Sequence, residues 1–167
     1  MKKELPYTKT SDAIVGYEQS QLAKTESNDC VVRAWASAFE LPYENAHKII
    51  EEQFQRKFKK GTMRFNSKMN QLSKMRALYN DKYLKILGEQ TLSGLSYSLA
   101  YDVKVKGVTK KRKMTVGTFA KKYGTGTYII SIRGHAFTMK NGVVIGNQND
   151  AKRLKAVIEQ AWEVVKF

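Results

Sequence analysis

Two different apolar periodicities, one near each end of the chain, limit what it can fold into. From Val31, apolar residues recur at helical spacing: Val31, Val32, Ala34, Trp35, Ala38 and Phe39. Tyr43, Ala46, Ile49, Ile50 and Phe54 repeat the pattern behind Pro42, which suits a first helical turn. Near the other end the pattern changes. Tyr128 to Ile132 reads as a strand, Arg133-Gly134 as a turn, and His135 to Met139 as the next strand. Asn141-Gly142 is a strong hairpin signal ahead of Val143-Val144-Ile145. Helices first and strands afterwards predict an α+β fold, with N-terminal helices packed on a C-terminal antiparallel sheet. At 167 residues the chain fits a single domain, 1–167, whose core needs neither disulfide nor metal.

Weaker patterns fill the remainder. Residues 1–27 read as an irregular lead-in with one short strand at Ala13-Ile14-Val15, and Asn28-Asp29 as a helix start with Asn28 as the cap. Residues 67–80 suit a helix and Tyr83 to Leu87 a strand. Leu92 to Tyr101 fits a helix better than a strand. Val103 to Val108 alternates like a basic edge strand, and Thr115 caps a short helix closed by Gly124. Residues 151–165 read as a final helix, with Trp35 and Trp162 as core anchors.

Charge divides the chain in three. Residues 1–54 hold 6 basic and 9 acidic side chains, 55–122 hold 18 and 3, and 123–167 hold 6 and 3. The whole net charge of +15 therefore equals that of the middle, and 55–114 reads as a basic central insertion in a neutral frame. Lys59, Lys60, Lys110, Lys111, Arg112 and Lys113, interleaved with aromatics, are candidates for contact with nucleic acid or an acidic protein partner. No apolar run is long enough to span a membrane and no signal peptide is visible, so a cytoplasmic protein is expected. One cysteine and two histidines exclude a cysteine-cluster zinc site and an internal disulfide; neither metal nor cofactor is expected.

Cys30 falls in the first turn of a helix, where the N-terminal partial charge favours a thiolate. A small buried residue is the ordinary alternative. His135 opens a strand after Gly134. If Lys140-Asn141-Gly142 forms a three-residue loop, Met139 faces Val143, Phe137 faces Ile145 and His135 faces Asn147, with the large apolar residues on one side. Asn147 can then hold the imidazole in one tautomer, with Asn149 and Asp150 as rivals. His47, near Glu44 and Glu51, reads as a surface histidine in local charge pairs, and Arg33 as a structural ion-pair partner of the N-terminal segment.

Asn28-Asp29-Cys30-Val31-Val32-Arg33-Ala34, followed much later by Gly134-His135-Ala136-Phe137, resembles papain-like cysteine peptidases, and most closely small tailed-phage proteins of that fold. The resemblance covers 28–50 and 115–148 and leaves out the basic middle. It implies Cys30 as nucleophile, His135 as base and Asn147 as orienter, in a position commonly acidic in the phage proteins. The family's oxyanion-donor glutamine falls where this chain has Lys24 and Thr25, so Asn28, the Cys30 N–H or Gln21 must serve. The implied activity is hydrolysis of a peptide or isopeptide bond in a protein substrate, in a host cell. The alternative is an inactive papain-like effector that binds nucleic acid, or a host nucleic-acid-binding protein, through the basic middle.

Overall fold

A computed structural model describes residues 4–74, 90–95 and 100–166. The chain begins with β1 (Tyr7–Lys9) and a one-turn helix α1 (Thr10–Ala13). A short 3-10 turn (Tyr17–Gln19) and α2 (Gln21–Thr25) lead to α3 (Cys30–Ala38) and α4 (Tyr43–Phe54). Then come α5 (Phe65–Lys74), β2 (Gln90–Gly94), β3 (Ala100–Val105), β4 (Val108–Lys113) and α6 (Val116–Lys122). The chain finishes with β5 (Thr127–Ile132), β6 (His135–Lys140), β7 (Val143–Gly146), α7 (Gln148–Lys152) and β8 (Ile158–Lys166).

Six strands form one sheet in the order β1-β7-β6-β5-β8-β2. The sheet is mixed rather than purely antiparallel, because β1 pairs parallel with β7. It is also not wholly C-terminal: β1 lies at one edge, and β2, from the middle of the chain, pairs with β8 at the other. Both faces are covered. Ile129, Ala136 and Trp162 pack with α3, α4 and α5, whereas Ile130, Phe137, Met139, Val144 and Ala161 pack with Phe119 of α6.

This double burial explains two departures from the sequence reading. The β6–β7 loop has two residues, not three: Lys140 pairs with Val143, Met139 with Val144 and Thr138 with Ile145. Asn141 and Gly142 both take positive φ (50° and 77°), as a hairpin turn of this length requires. A three-residue register gathers the large apolar side chains on one face, which is an advantage when only one face is buried. That advantage is lost when both faces are buried, and Ala136 through Met139 are all buried. Likewise 151–165 is not a helix. After one turn the chain becomes β8, a strand between β5 and β2, with Ile158, Ala161 and Trp162 buried.

Smaller expectations also shift. The short strand is Tyr7–Lys9, not Ala13–Val15, and the described parts of 92–101 belong to β2 and β3 rather than to a helix. Asn28 sits at φ +52° just outside α3, and Asp29 takes the N-cap position. Thr115 does cap α6, its hydroxyl accepting from Thr118 N at 3.3 Å. The strand expected at Tyr83–Leu87 lies outside the described residues. The basic middle is not set apart as a whole, since Met69, Leu72 and Leu92 enter the core beside α3 and α4. Among the described residues, β3 and β4 form a separate two-stranded sheet. Among the described residues, no helix is long and apolar enough to cross a membrane.

Candidate active site

The site is built where α3 crosses β6. Thr138 is fully buried on β6, and its hydroxyl donates to Ala34 O at 2.7 Å. The Ser37 hydroxyl lies 3.1 Å from Thr138 Oγ1 and donates to Arg33 O at 2.8 Å. These bonds, made away from water, fix the helix on the strand in one position. Cys30, at the first turn of α3, is thereby set against His135 and Ala136 at the start of β6. Gly134, at φ +69°, makes the turn from which His135 starts its strand.

The two residues that sequence reasoning placed far apart in the chain do meet. The Cys30 thiol faces the His135 ring and the Ala136 N–H, both of which favour its thiolate. Burial pushes the thiol pKa up, but the His135 bond, the Ala136 N–H and the nearby charges of His135 and Arg33 outweigh it, so the pKa falls below the usual thiol value. On the far side of the ring, Nε2 lies 2.8 Å from Asp150 Oδ1, although the N–H does not point squarely at that oxygen. Asp150 first, then the Cys30 bond, raise the His135 pKa to about 9 against the cost of burial. Burial raises the Asp150 carboxyl, but His135 and the Asn147 N–H prevail and hold it below its ordinary value. With Nε2 turned to Asp150, Nδ1 is the nitrogen left for the thiol. A thiol, an imidazole and a carboxylate in this order can serve as nucleophile, base and orienting group.

Asn147 is therefore not the residue against His135. It is the N-cap of α7: its side chain accepts from Asp150 N at 2.9 Å, and its own N–H lies 3.3 Å from Asp150 Oδ2. This capping box presents the carboxylate. The expected pairing fails on two counts: the two-residue loop shifts the register so that Gln148, not Asn147, would come opposite His135, and β7 stops at Gly146, where the chain turns into α7. Gly146 went unnoticed in the sequence. A Cβ there would lie 2.5 Å from Asp150 Oδ2, so the carboxylate occupies the space that glycine leaves.

Cys30 and His135 open on a cleft of about 520 Å³ lined also by Asn28, Thr62, Arg64, Phe65 and Glu159. Thr62 Oγ1 and Asn66 Oδ1 are buried in its wall without a hydrogen-bond partner, and a bound main chain can supply one. In the sequence Gly61-Thr62 signalled only a helix break. Asn28 lines the same cleft, its Nδ2 donating to Lys59 O at 3.1 Å with a second N–H left over. The Cys30 N–H, in the first turn of α3, has no intrahelical partner.

Lys59 and Lys60 are exposed on the turn leading to the cleft residues Gly61 and Thr62, whereas Lys110, Lys111, Arg112 and Lys113 are exposed along β4. The two basic groups thus belong to different elements. Arg33 pairs with Asp29, one helical turn before it, at 3.2 Å. His47 keeps the expected local pair, its Nδ1 lying 3.9 Å from Glu51, but it is largely buried, and its Nε2 lies 2.6 Å from the buried Glu26 carboxylate, which also binds Arg56 at 2.8 Å and Lys59 N at 2.7 Å. Among the described residues, no group of three or more His, Cys, Asp or Glu is arranged to hold a metal ion. No family model, curated protein or solved structure matches this chain.

Proposed function

We propose that the protein is a cysteine hydrolase of papain-like, phage type that cleaves an amide bond in a protein substrate, with Cys30, His135 and Asp150 as its triad. The observation that carries the reading is the His135 ring, which bridges the Cys30 thiol and the Asp150 carboxylate at the mouth of a cleft. A lowered thiol pKa beside a raised imidazole pKa favours the thiolate–imidazolium pair.

In this mechanism the Cys30 thiolate attacks the scissile carbonyl carbon. The oxyanion is met by the Cys30 N–H and the remaining Asn28 Nδ2 hydrogen. The His135 imidazolium gives its proton to the leaving amine as the C–N bond breaks, which leaves a thioester on Cys30 and a neutral imidazole. That imidazole takes a proton from water, whose oxygen attacks the thioester. Collapse releases the carboxylic acid and restores the thiolate–imidazolium pair. Asp150 holds the ring in one orientation and stabilises its positive form throughout.

Because Cys30 is the only cysteine, a thiol-directed probe reports on it alone. A peptidyl vinyl sulfone is expected to form a single adduct at Cys30, detected by mass spectrometry. Cys30→Ala abolishes the adduct and His135→Ala slows it. If wild-type protein reacts no faster than free cysteine and His135→Ala changes nothing, the triad has no chemistry and the proposal falls.

A further inference from the structure

The β3–β4 ribbon is outside the triad's needs and separate from the main sheet. Among the described residues its strands pair only with each other, in register from Ala100 opposite Lys113 to Val105 opposite Val108. Every residue of β4, from Val108 to Lys113, is exposed. Lys104, and Lys106 at the tip, are exposed as well.

Strand alternation divides these charges between two faces. Lys111 and Lys113 share a face with Lys104, which is opposite Thr109. Lys110 and Arg112 share the other, with Lys110 opposite Val103 and Arg112 opposite Tyr101. The lone acidic residue in the register is Asp102, opposite Lys111. A surface that docks on one acidic protein patch needs cations on one face only, and the second face would carry its charge into solvent. A ribbon with cations on both faces fits between two negative walls. The major groove of B-form DNA, about 12 Å wide, admits a two-stranded ribbon and has a phosphate backbone on each side. The major groove of A-form RNA is too deep and narrow for it.

We propose that the β3–β4 ribbon enters the major groove of duplex DNA, with Lys110 and Arg112 facing one phosphate backbone and Lys111 and Lys113 the other. This docking is independent of the thiol site: it brings the protein to DNA whether or not Cys30 reacts.

The test measures binding of the full chain to a short mixed-sequence DNA duplex as salt is varied. About four phosphate contacts predict a log–log slope near −4, a loss of roughly 10²-fold between about 50 and 200 mM salt. Lys110→Gln with Arg112→Gln, and separately Lys111→Gln with Lys113→Gln, are each expected to reduce that slope by about 2. The charge-keeping pair Lys111→Arg with Lys113→Arg retains binding, and Cys30→Ala leaves it unchanged. An unaltered rate of Cys30 alkylation shows that each ribbon variant is folded, and an unaltered denaturant unfolding curve does so for Cys30→Ala. Equal binding to duplex RNA or single-stranded DNA overturns the groove reading. So does an effect confined to one face pair, or competition by poly-glutamate as strong as by the duplex, which would assign the ribbon to an acidic protein instead.

Discussion

Each of the molecule's two histidines lies against a buried carboxylate, and the next neighbour separates the two arrangements. At His47 the carboxylate is Glu26, and the next group is the buried guanidinium of Arg56. Arg56, His47 and the backbone N–H groups of Lys59 and Ser27 outweigh burial and lower the Glu26 pKa to about 2. Both terminal Arg56 nitrogens are bonded, to Glu26 and to Ser27 O, Arg56 Nε alone is left without a partner, and the cluster holds no nucleophile. The cluster ties the segment before α3 to the turn after α4, and Lys59 O then receives the Asn28 amide at the cleft. At His135 the carboxylate is Asp150, but the next group is a thiol that opens on a cleft. A guanidinium closes such a pair into a structural clasp, whereas a thiol on a cleft leaves beside the pair a group that can react.

The largest test of that contrast is Asp150→Asn. Loss of an orienting carboxylate is expected to lower kcat by as much as about 10⁴-fold. The imidazolium pKa, near 9 with Asp150 present, should move toward its ordinary 6.5, carrying the alkaline limb of the pH–kcat/KM profile with it. In the wild type the raised pKa also means that the His135 contribution to stability is full below about pH 6.5 and lost as pH rises through 9. An unchanged alkaline limb would mean that Asp150 does not govern His135.

At the clasp, Glu26→Gln leaves Arg56 buried without its counter-charge. Removing one partner of a buried pair costs about 3–5 kcal/mol, to be read from denaturant unfolding. Below the unfolding midpoint, the alkylation rate of Cys30 should hardly change. The lowered Glu26 pKa places this stabilisation above about pH 4.5, to be lost as pH falls toward 2. A large loss of thiol reactivity in folded protein would erase the distinction between the two pairs.

Gly146→Ala separates space from charge. The added methyl displaces the Asp150 carboxylate by roughly an ångström, and a shift of that size costs up to about 10²-fold in turnover with little loss of stability. Activity equal to wild type would show that Asp150 tolerates the move. The smallest effect belongs to Asn147→Ala. Removing the cap costs about 1 kcal/mol and should lower turnover modestly through Asp150, whereas Asn147→Asp, which keeps the cap, should restore it.

Cys30 and His135 could be found in the sequence because each sits beside a local signal, a helix start and a Gly-led strand start. The third group could not be singled out in the same way. Asn147 and Asp150 lie three residues apart, and choosing between them needed the point where β7 ends. That point depends on α7 and on the packing of both sheet faces. His47 misled for a similar reason: its neighbours in sequence, Glu44 and Glu51, were visible, but its main partner Glu26 lies 21 residues earlier. Thr62 and Asn66 carried no signal, because an unpaired polar atom is recognised only once its surroundings are known.

The sequence by itself determined the α+β class, the placement of Cys30 in a helix's first turn, and a positive charge concentrated in the middle. Periodicity, capping and composition are properties of neighbouring residues. Only the tertiary structure decided that the sheet is buried on both faces, that Asp150 and not Asn147 meets His135, and that part of the basic middle stands out as a ribbon. Those outcomes depend on which distant surfaces exclude water from one another, and a local pattern cannot specify its own partner.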